Sequence, residues 1–388
     1  MALSACYKLP YPQIPRFMLL QDRFSSSVHV EKPHEISIWT TAVVYPDSVP
    51  WQSVPDTSVA RLVLFKNGEE VLSAEGASEQ RHRFVGGHLW SDKWDGSRTA
   101  VFCDGSEVFS FPSEEVFLGF LYIDGHVHTL GQRPGGEGLC YRIDGGEVFS
   151  SDVGTIIGSI NERAWPGGAL TYDSTGVYYV YRIPVRTYGK LDWEYRVMRG
   201  SETVKIILAG AAKATYDIRV MKCKVYSLRR LESGELVLAE DDLEEKIPEF
   251  PKEAMCSCML YPLDGSIVVK GYSWFNKAGQ YLAWIRDKGG IMLNLMSSRP
   301  FAEWQPVGTG LSAIDMEGNR VGSIWIAGEE QGPLTGEYTL TSPLCMISGD
   351  GLFASALTGA DGRSHLIRVG QSDFPMSFNG YFCSIHIE

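Results

Sequence analysis

Cys103-Asp104-Gly105-Ser106-Glu107-Val108-Phe109-Ser110 recurs 40 residues later as Ile143-Asp144-Gly145-Gly146-Glu147-Val148-Phe149-Ser150. A looser copy, Lys66-Asn67-Gly68-Glu69-Glu70-Val71-Leu72-Ser73, begins 37 residues before the first. An Asp-Gly or Asn-Gly pair between two runs of β-forming residues is the strongest short-range signal for a hairpin, because both turn residues must take positive φ. A hairpin that returns at this spacing marks a repeat architecture rather than a set of unrelated strands.

Outward from this phrase the chain keeps the same grammar. Upstream, Ile36 to Val44, Arg61 to Phe65, His88 to Trp90 and Arg98 to Phe102 read as strands. Downstream, Val116 to Tyr122, His126 to Leu130, Leu139 to Ile143 and Glu147 to Phe149 read as four strands in succession, turned by Asp124-Gly125, a Gly-Pro loop and Asp144-Gly145. Cys256 to Tyr261, Ser266 to Trp274, Gln280 to Arg286 and Gly290 to Leu295 make a second four-stranded meander. Less sharply marked groups cover 155–208, 209–240, 308–340 and 343–370. Two segments stand apart. Residues 1–35 are punctuated by Pro10, Pro12, Pro15 and Pro33 and read as an extended lead-in. Glu240 to Lys246 is acidic and closes at Pro248 and Pro251, which reads as a surface connector with a helical turn or two.

Four-stranded antiparallel units with Asp-Gly turns and a period of roughly 35–55 residues resemble a β-propeller, in which such sheets stand radially about a channel. The resemblance covers residues 36–388 and is architectural, since no WD or kelch signature is present. It implies an all-β fold, a single β-propeller of four-stranded antiparallel blades, with seven blades favoured and six or eight compatible. Two β-sandwich domains would explain turns every 8–12 residues but not the repeated phrase. The last strand, Gly380 to Ile387, is expected to pair beside an N-terminal strand and so remove the open edges that two chain ends leave.

Composition narrows the function. The 388 residues are 44% hydrophobic and 12% aromatic, enough for a large core. A net charge of −12, with Arg81-His82-Arg83 and Arg229-Arg230 as the basic clusters, argues against nucleic acid or an anionic membrane surface as partner. No run approaches the ~18 apolar residues of a membrane span. Eight cysteines, mostly among apolar strand residues and without a small-scaffold spacing, read as free buried thiols in a reducing compartment. The chain has no Asn-x-Ser/Thr acceptor, which fits an intracellular or bacterial setting. A cytoplasmic location is expected. Leu3-Ser4-Ala5-Cys6 looks like a lipoprotein box, so a signal region upstream of Cys6 would instead make this a cell-envelope lipoprotein.

The chemistry-bearing residues form no recognised catalytic set. His126-Val127-His128 puts two imidazoles on one side of a strand, but a metal site needs a third ligand. Cys256-Ser257-Cys258 lacks the second pair of a zinc site. No nucleophile elbow, phosphate loop or His-Glu-x-x-His occurs, so no cofactor and no metal is assigned. The connectors that enter innermost strands crowd the channel mouth, and the resemblance implies that ligands bind there. Arg81, His82 and Arg83 precede the Phe84 strand, Glu114 and Glu115 the Phe117 strand, and Asp152 the Thr155 strand. Glu253 precedes the Met255 strand, while Arg299, Glu303 and Trp304 precede the strand after Gly308. The expected ligand-binding set is therefore Arg81, His82, Arg83, Glu115, Asp152, Arg299, Glu303 and Trp304. Carboxylates, guanidiniums and an indole face suit a protein partner or a polar ligand such as a carbohydrate. The alternative is a glycoside hydrolase or lyase, whose two carboxyl groups would face each other at ~5 Å or ~6.5–9.5 Å, and Asp124, Glu115 and Asp152 are its candidate acids.

Overall fold

The structure, a computed structural model, describes residues 37–49, 60–75, 81–136, 138–157, 168–187, 190–208, 212–231, 233–247, 255–263, 265–275, 278–287, 289–307, 309–333, 339–340, 345–346, 353–369 and 376–387. The repeated turns form as their residues dictate. Asn67-Gly68, Asp104-Gly105 and Asp144-Gly145 each place two successive residues at positive φ, near 50° and then 80–87°. That is the mirror-image turn whose twist matches its flanking strands.

The strands assemble into eight antiparallel sheets, the upper end of the expected range and one more than the favoured seven. Blade 1 joins Ile38–Val44, Arg61–Lys66 and Glu69–Glu75 to the final strand, Gly380–Ile387. Blade 2 is Arg81–Val85, His88–Trp94, Thr99–Cys103 and Ser106–Phe111. Blade 3 is Val116–Ile123, His126–Gln132, Leu139–Ile143 and Gly146–Ser151. In blade 4 two short pieces, Thr155–Ile157 and Thr171–Asp173, share the partner Gly176–Thr187, followed by Lys190–Arg199 and Glu202–Leu208. Blade 5 is Ala212–Met221, Lys224–Leu231, Leu236–Glu240 and Leu243–Ile247. Blade 6 is Met255–Leu263, Ser266–Phe275, Gln280–Asp287 and Gly290–Ser297. Blade 7 is Phe301–Val307, Gly310–Glu317, Arg320–Ile326 and Glu329–Pro333. Blade 8 sets Thr339–Leu340 and Cys345–Met346 on Phe353–Thr358, then adds Ser364–Val369 and Met376–Phe378.

Ring closure follows the expected route. Gly380–Ile387 runs antiparallel to Ile38–Val44, with Val44 opposite Gly380 and Ile38 opposite Ile387. A side chain at Gly380 would drive its Cβ into the Val43 carbonyl, so the closing strand begins on a residue that has none. The lead-in, 1–35, lies outside the described residues.

Most apolar clusters span two neighbouring blades, while Val307, Ile314 and Ile324 form one within blade 7. Leu228 and Leu238 of blade 5 pack with Leu260, Val269 and Trp284 of blade 6. Leu130 and Tyr141 of blade 3 pack with Tyr179 and Tyr181 of blade 4. Middle strands are therefore covered on both faces, as in the buried run Leu282 to Arg286, and lose the strict alternation of a half-exposed strand. Outer strands are covered on one side only.

The repeated phrase explains the outer strands residue by residue. Glu107 takes both guanidinium nitrogens of Arg98 at 2.6 and 2.9 Å, and Ser110 meets the same Arg98 at 2.9 Å. Blade 1 repeats this with Arg61, Glu70 and Ser73. Phe149 turns inward onto Tyr179 and Tyr181 of the next blade. The valine does not pack. Val101 pairs with Phe109 and Phe102 with Glu107, which leaves Val108 as the extra residue of a β-bulge. Val71, Val148 and Val204 occupy the same bulge in blades 1, 3 and 4. These valines are 38–54% exposed. A bulge on these four outer edges bends each away from pairing with another chain.

One segment departs from its sequence reading. Glu240 to Lys246 is no helical connector: Asp241-Asp242 is a hairpin turn and Leu243–Ile247 is the outer strand of blade 5. An edge strand with one solvent face accepts this many charges, and they discourage edge-to-edge association. Five cysteines are free among the described residues, and their burial is not uniform. Cys140 and Cys258 are buried, Cys103 and Cys383 partly so, and Cys223 is exposed.

In four blades the turn residue also grips the second strand. Asp144 accepts the Val127 N–H at 2.8 Å through Oδ1, and its own N–H donates to the Val127 carbonyl at 2.8 Å. Asn67 with Ile38, Asp104 with Leu89 and Asp241 with Val225 do the same. Removing the side-chain half, as in Asp144→Ala, is expected to cost about 0.5–1.5 kcal/mol. Asp144→Asn should retain most of it, because Asn67 performs the task in blade 1. Urea melts of both variants test this, and an equal loss in both would refute it.

Candidate functional site

On the face of the hairpin turns, blades 3 and 4 part to leave an open groove of about 510 Å³. Strand geometry sets its first wall. His126 and His128 stand two residues apart, so both project to the groove while Val127 between them is buried. Asp124 comes from the turn before that strand, and Tyr141 and Ile143 from the strand beside it. The second wall is the turn Asp173-Ser174-Thr175-Gly176 with Tyr172, Val177, Arg199 and Gly200.

Most of the polar groups are oriented by a partner. His126 Nδ1 lies 2.6 Å from Asp144 Oδ2, with both side chains about half exposed. That contact and the Val127 N–H hold the Asp144 carboxyl below the usual carboxylate range. His128 Nδ1 lies 2.7 Å from the Tyr141 hydroxyl. Burial pushes the Tyr141 phenol up to about 12, so the hydroxyl stays protonated beside Nδ1. Burial also lowers the His128 pKa below its ordinary 6.5. Asp173 accepts from the Thr175 N–H and hydroxyl through Oδ1, and from the Cys223 N–H of blade 5 through Oδ2. Arg199 pairs with Glu202 at 2.6 Å. Tyr172 is 60% exposed and offers its ring to solvent. The groove thus presents imidazoles, a tyrosine face, a guanidinium and two carboxylates, of which Asp173 is already tied into its turn.

The residues singled out from sequence fall elsewhere. Arg81, His82 and Arg83 open the innermost strand of blade 2 itself rather than the connector before it, opposite Asp92, Ser91 and Trp90. Glu115 does sit in a connector, but its side chain is fully buried against Arg142 at 2.7 and 2.8 Å. Asp152 is exposed and meets Arg133 at 2.6 Å. Arg299 lies 2.8 Å from the buried Asp315 and also contacts Ser323 and Glu330 within blade 7. Glu303 and Trp304 belong to Phe301–Val307, an innermost strand that the sequence reading took for a connector. They meet each other around Lys270 of blade 6, whose ammonium is 3.4 Å from Glu303 and 4.8 Å from the Trp304 ring centre. Of the five whose side chains are described, Glu303 and Trp304 meet around one shared cation.

Of the candidate acids, Asp124 and Glu115 do not face each other. Asp124 and Glu115 stand at opposite ends of Val116–Ile123, a strand about 25 Å long. His126, His128 and Asp124 were visible in the sequence. Tyr141, Tyr172 and Arg199 were not, because what recruits them is the packing of two neighbouring blades. The Asp173-Ser174-Thr175-Gly176 turn was the one local signal for the second wall.

No family profile matches the chain, and no curated protein matches it. Solved structures do. Dihydro-heme d1 dehydrogenase NirN in complex with DHE aligns at TM-score 0.52 and 10% identity, over 89% of this chain and 75% of that one. A eukaryotic initiation factor aligns at TM-score 0.50 and 10% identity, over 91% and 98%. At that identity the likeness shows the β-propeller fold alone.

Depression of the His128 pKa has a definite sign. The unfolded imidazole binds a proton near 6.5, the folded one only at lower pH, so stability falls as pH drops below 6.5 and levels off below the folded pKa. The His128 C2 proton is expected to titrate by NMR with a midpoint under 6.5. A midpoint at or above 6.5 would show that the ring is not desolvated as described.

Proposed function

We propose that this is a non-catalytic binding propeller whose ligand is a polar, carbohydrate-sized molecule held in the groove between blades 3 and 4. The observation that carries the reading is the groove itself, which pairs an exposed tyrosine ring with oriented imidazoles and a guanidinium. Sugar rings stack their C–H faces on aromatics and offer hydroxyls to fixed donors and acceptors, the two elements that line these walls. The binding reading is preferred to a hydrolase because Asp173 has both oxygens on turn donors, Glu115 is buried against Arg142, Asp152 is held by Arg133, and Asp124 stands at the other end of the strand from Glu115. A protein partner is the second reading. Val204, Ile206 and Leu208 are exposed at alternate positions of Glu202–Leu208, an outer strand with one sheet neighbour.

A panel of neutral and acidic mono- and oligosaccharides, titrated while following the two histidine rings by NMR, tests the proposal. Saturable shifts at His126 and His128 are expected, with affinity at least tenfold weaker in Tyr172→Ala. Tyr172 is largely exposed, so that variant should keep the fold. If no sugar moves either ring, or if Tyr172→Ala binds as well as the parent, the polar-ligand reading is wrong.

A further inference from the structure

We propose that blade 2 carries a divalent metal site formed by His88, Cys103 and Asp104 and suited to Zn²⁺. The three donor atoms lie within 4.8 Å of one another. His88 Nδ1 is 2.7 Å from Asp104 Oδ2, and Cys103 Sγ is 3.9 Å from the same oxygen. Tetrahedral zinc bonds of 2.0–2.3 Å separate donors by about 3.3–3.8 Å, so an ion is admitted once the 2.7 Å His88–Asp104 contact opens and the His88–Cys103 gap, within 4.8 Å, closes to that spacing by side-chain rotation.

The carboxylate is already aimed. Its Oδ1 accepts the Leu89 N–H at 2.9 Å, which leaves Oδ2 turned toward the imidazole and the thiol. Outer hydrogen bonds of this kind fix the orientation of a ligand before the metal arrives. The His88 ring is flanked edge-on by Trp90 and Tyr122, with centroids 6.5 and 6.1 Å away, which restricts its rotation. Binding takes the thiol proton to solvent and shifts the neutral imidazole to its Nε2–H tautomer, the Nδ1 proton leaving to solvent as Nε2 gains one, so that Nδ1 and Asp104 Oδ2 exchange their hydrogen bond for two metal bonds and a fourth position is left for water. Imidazole, thiolate and one carboxylate select a borderline-soft ion such as Zn²⁺ over Mg²⁺ or Ca²⁺.

Blade 3 supplies the comparison inside the same molecule. His126 and Asp144 repeat the pair at 2.6 Å, but Ile143 stands where blade 2 has Cys103. The His–Asp pair is therefore part of the repeating turn, and the cysteine is what completes a three-donor set. His88 and Cys103 lie 15 residues apart on different strands, so no spacing motif announces the site.

Titration of the full chain with Co²⁺ under reducing conditions, followed by Zn²⁺ competition, tests this. One equivalent with a thiolate-to-cobalt charge-transfer absorption is expected, absent in Cys103→Ser and at least tenfold weaker in His88→Gln. Ile143→Cys should add a second equivalent with the same absorption by completing the set at His126 and Asp144. An absorption that survives Cys103→Ser unchanged would place the metal on other thiols and overturn the site. So would Zn²⁺ affinity equal in the parent and in both blade 2 variants, and a failure of Ile143→Cys to gain metal would refute the geometric argument.

Discussion

The disc depends on a two-point grip between a turn and a strand. Asn67, Asp104, Asp144 and Asp241 each donate a backbone N–H to the second strand of their own blade and accept that same residue's N–H with a side-chain oxygen. An outer strand has one neighbour in its sheet, and slipping by one residue would turn its Phe109 or Phe149 away from the adjoining blade. The grip removes that freedom, because the turn residue is held at a fixed place on a third strand. The positive φ that the turn demands is tolerated by Asn and Asp better than by other side chains. One residue type therefore satisfies turn, register and hydrogen bonding together. Blade 4 keeps the backbone half alone, through the Gly200 N–H to the Val177 carbonyl, and closes its turn instead with the Tyr179 hydroxyl on Gly200.

Between blades, paired charges supplement the apolar clusters. Arg219 of blade 5 binds its neighbour Asp217 at 3.0 Å and reaches the Gly168 carbonyl beside blade 4 at 2.7 Å. Asp217 in turn accepts the Leu260 N–H of blade 6 at 3.2 Å. Both charges are almost wholly buried, so the pair itself contributes little net stability after desolvation. Its directionality is another matter. A hydrophobic contact between two blades is indifferent to a small rotation, whereas this chain of contacts has one arrangement that satisfies three blades. Lys270 with Glu303 ties blade 6 to blade 7 in the same way.

The sequence disclosed the parts of the fold that are local. Asp-Gly turns, the outer hairpin and the closing strand at Gly380–Ile387 are each written in a few consecutive residues. Blade 7 was harder to read. Phe301–Val307 contains Pro306, Glu303 and Gln305, a composition that suggests a loop, and it is a strand because Tyr272 and Lys270 of the neighbouring blade cover Trp304 and Glu303. Leu243–Ile247 likewise contradicts its own charge pattern, since an outer strand has to bury little. Glu115 shows the limit at the site. Nothing local distinguishes a carboxylate that waits for a ligand from one that meets Arg142, 27 residues further along the chain.

The relation between repetition and function is also not the one that the repeated phrase first suggests. A ring of similar blades offers similar seams, and a ligand needs one that differs. The grip supplies the means, because the residue just before each gripped position is carried to the turn face in a fixed pose while its identity stays free. That residue is Ser37, His88, His126 or Lys224 in the four blades concerned. Blade 3 places a histidine there and a second at His128, and blade 4 answers with an innermost strand in two pieces whose end lifts Tyr172 into solvent. Blade 2 holds the same histidine but sets Cys103 beside it instead. Side chains adjoining a rigid repeated contact can therefore diverge without disturbing the disc, and in this chain the chemistry has gathered there, around the turns.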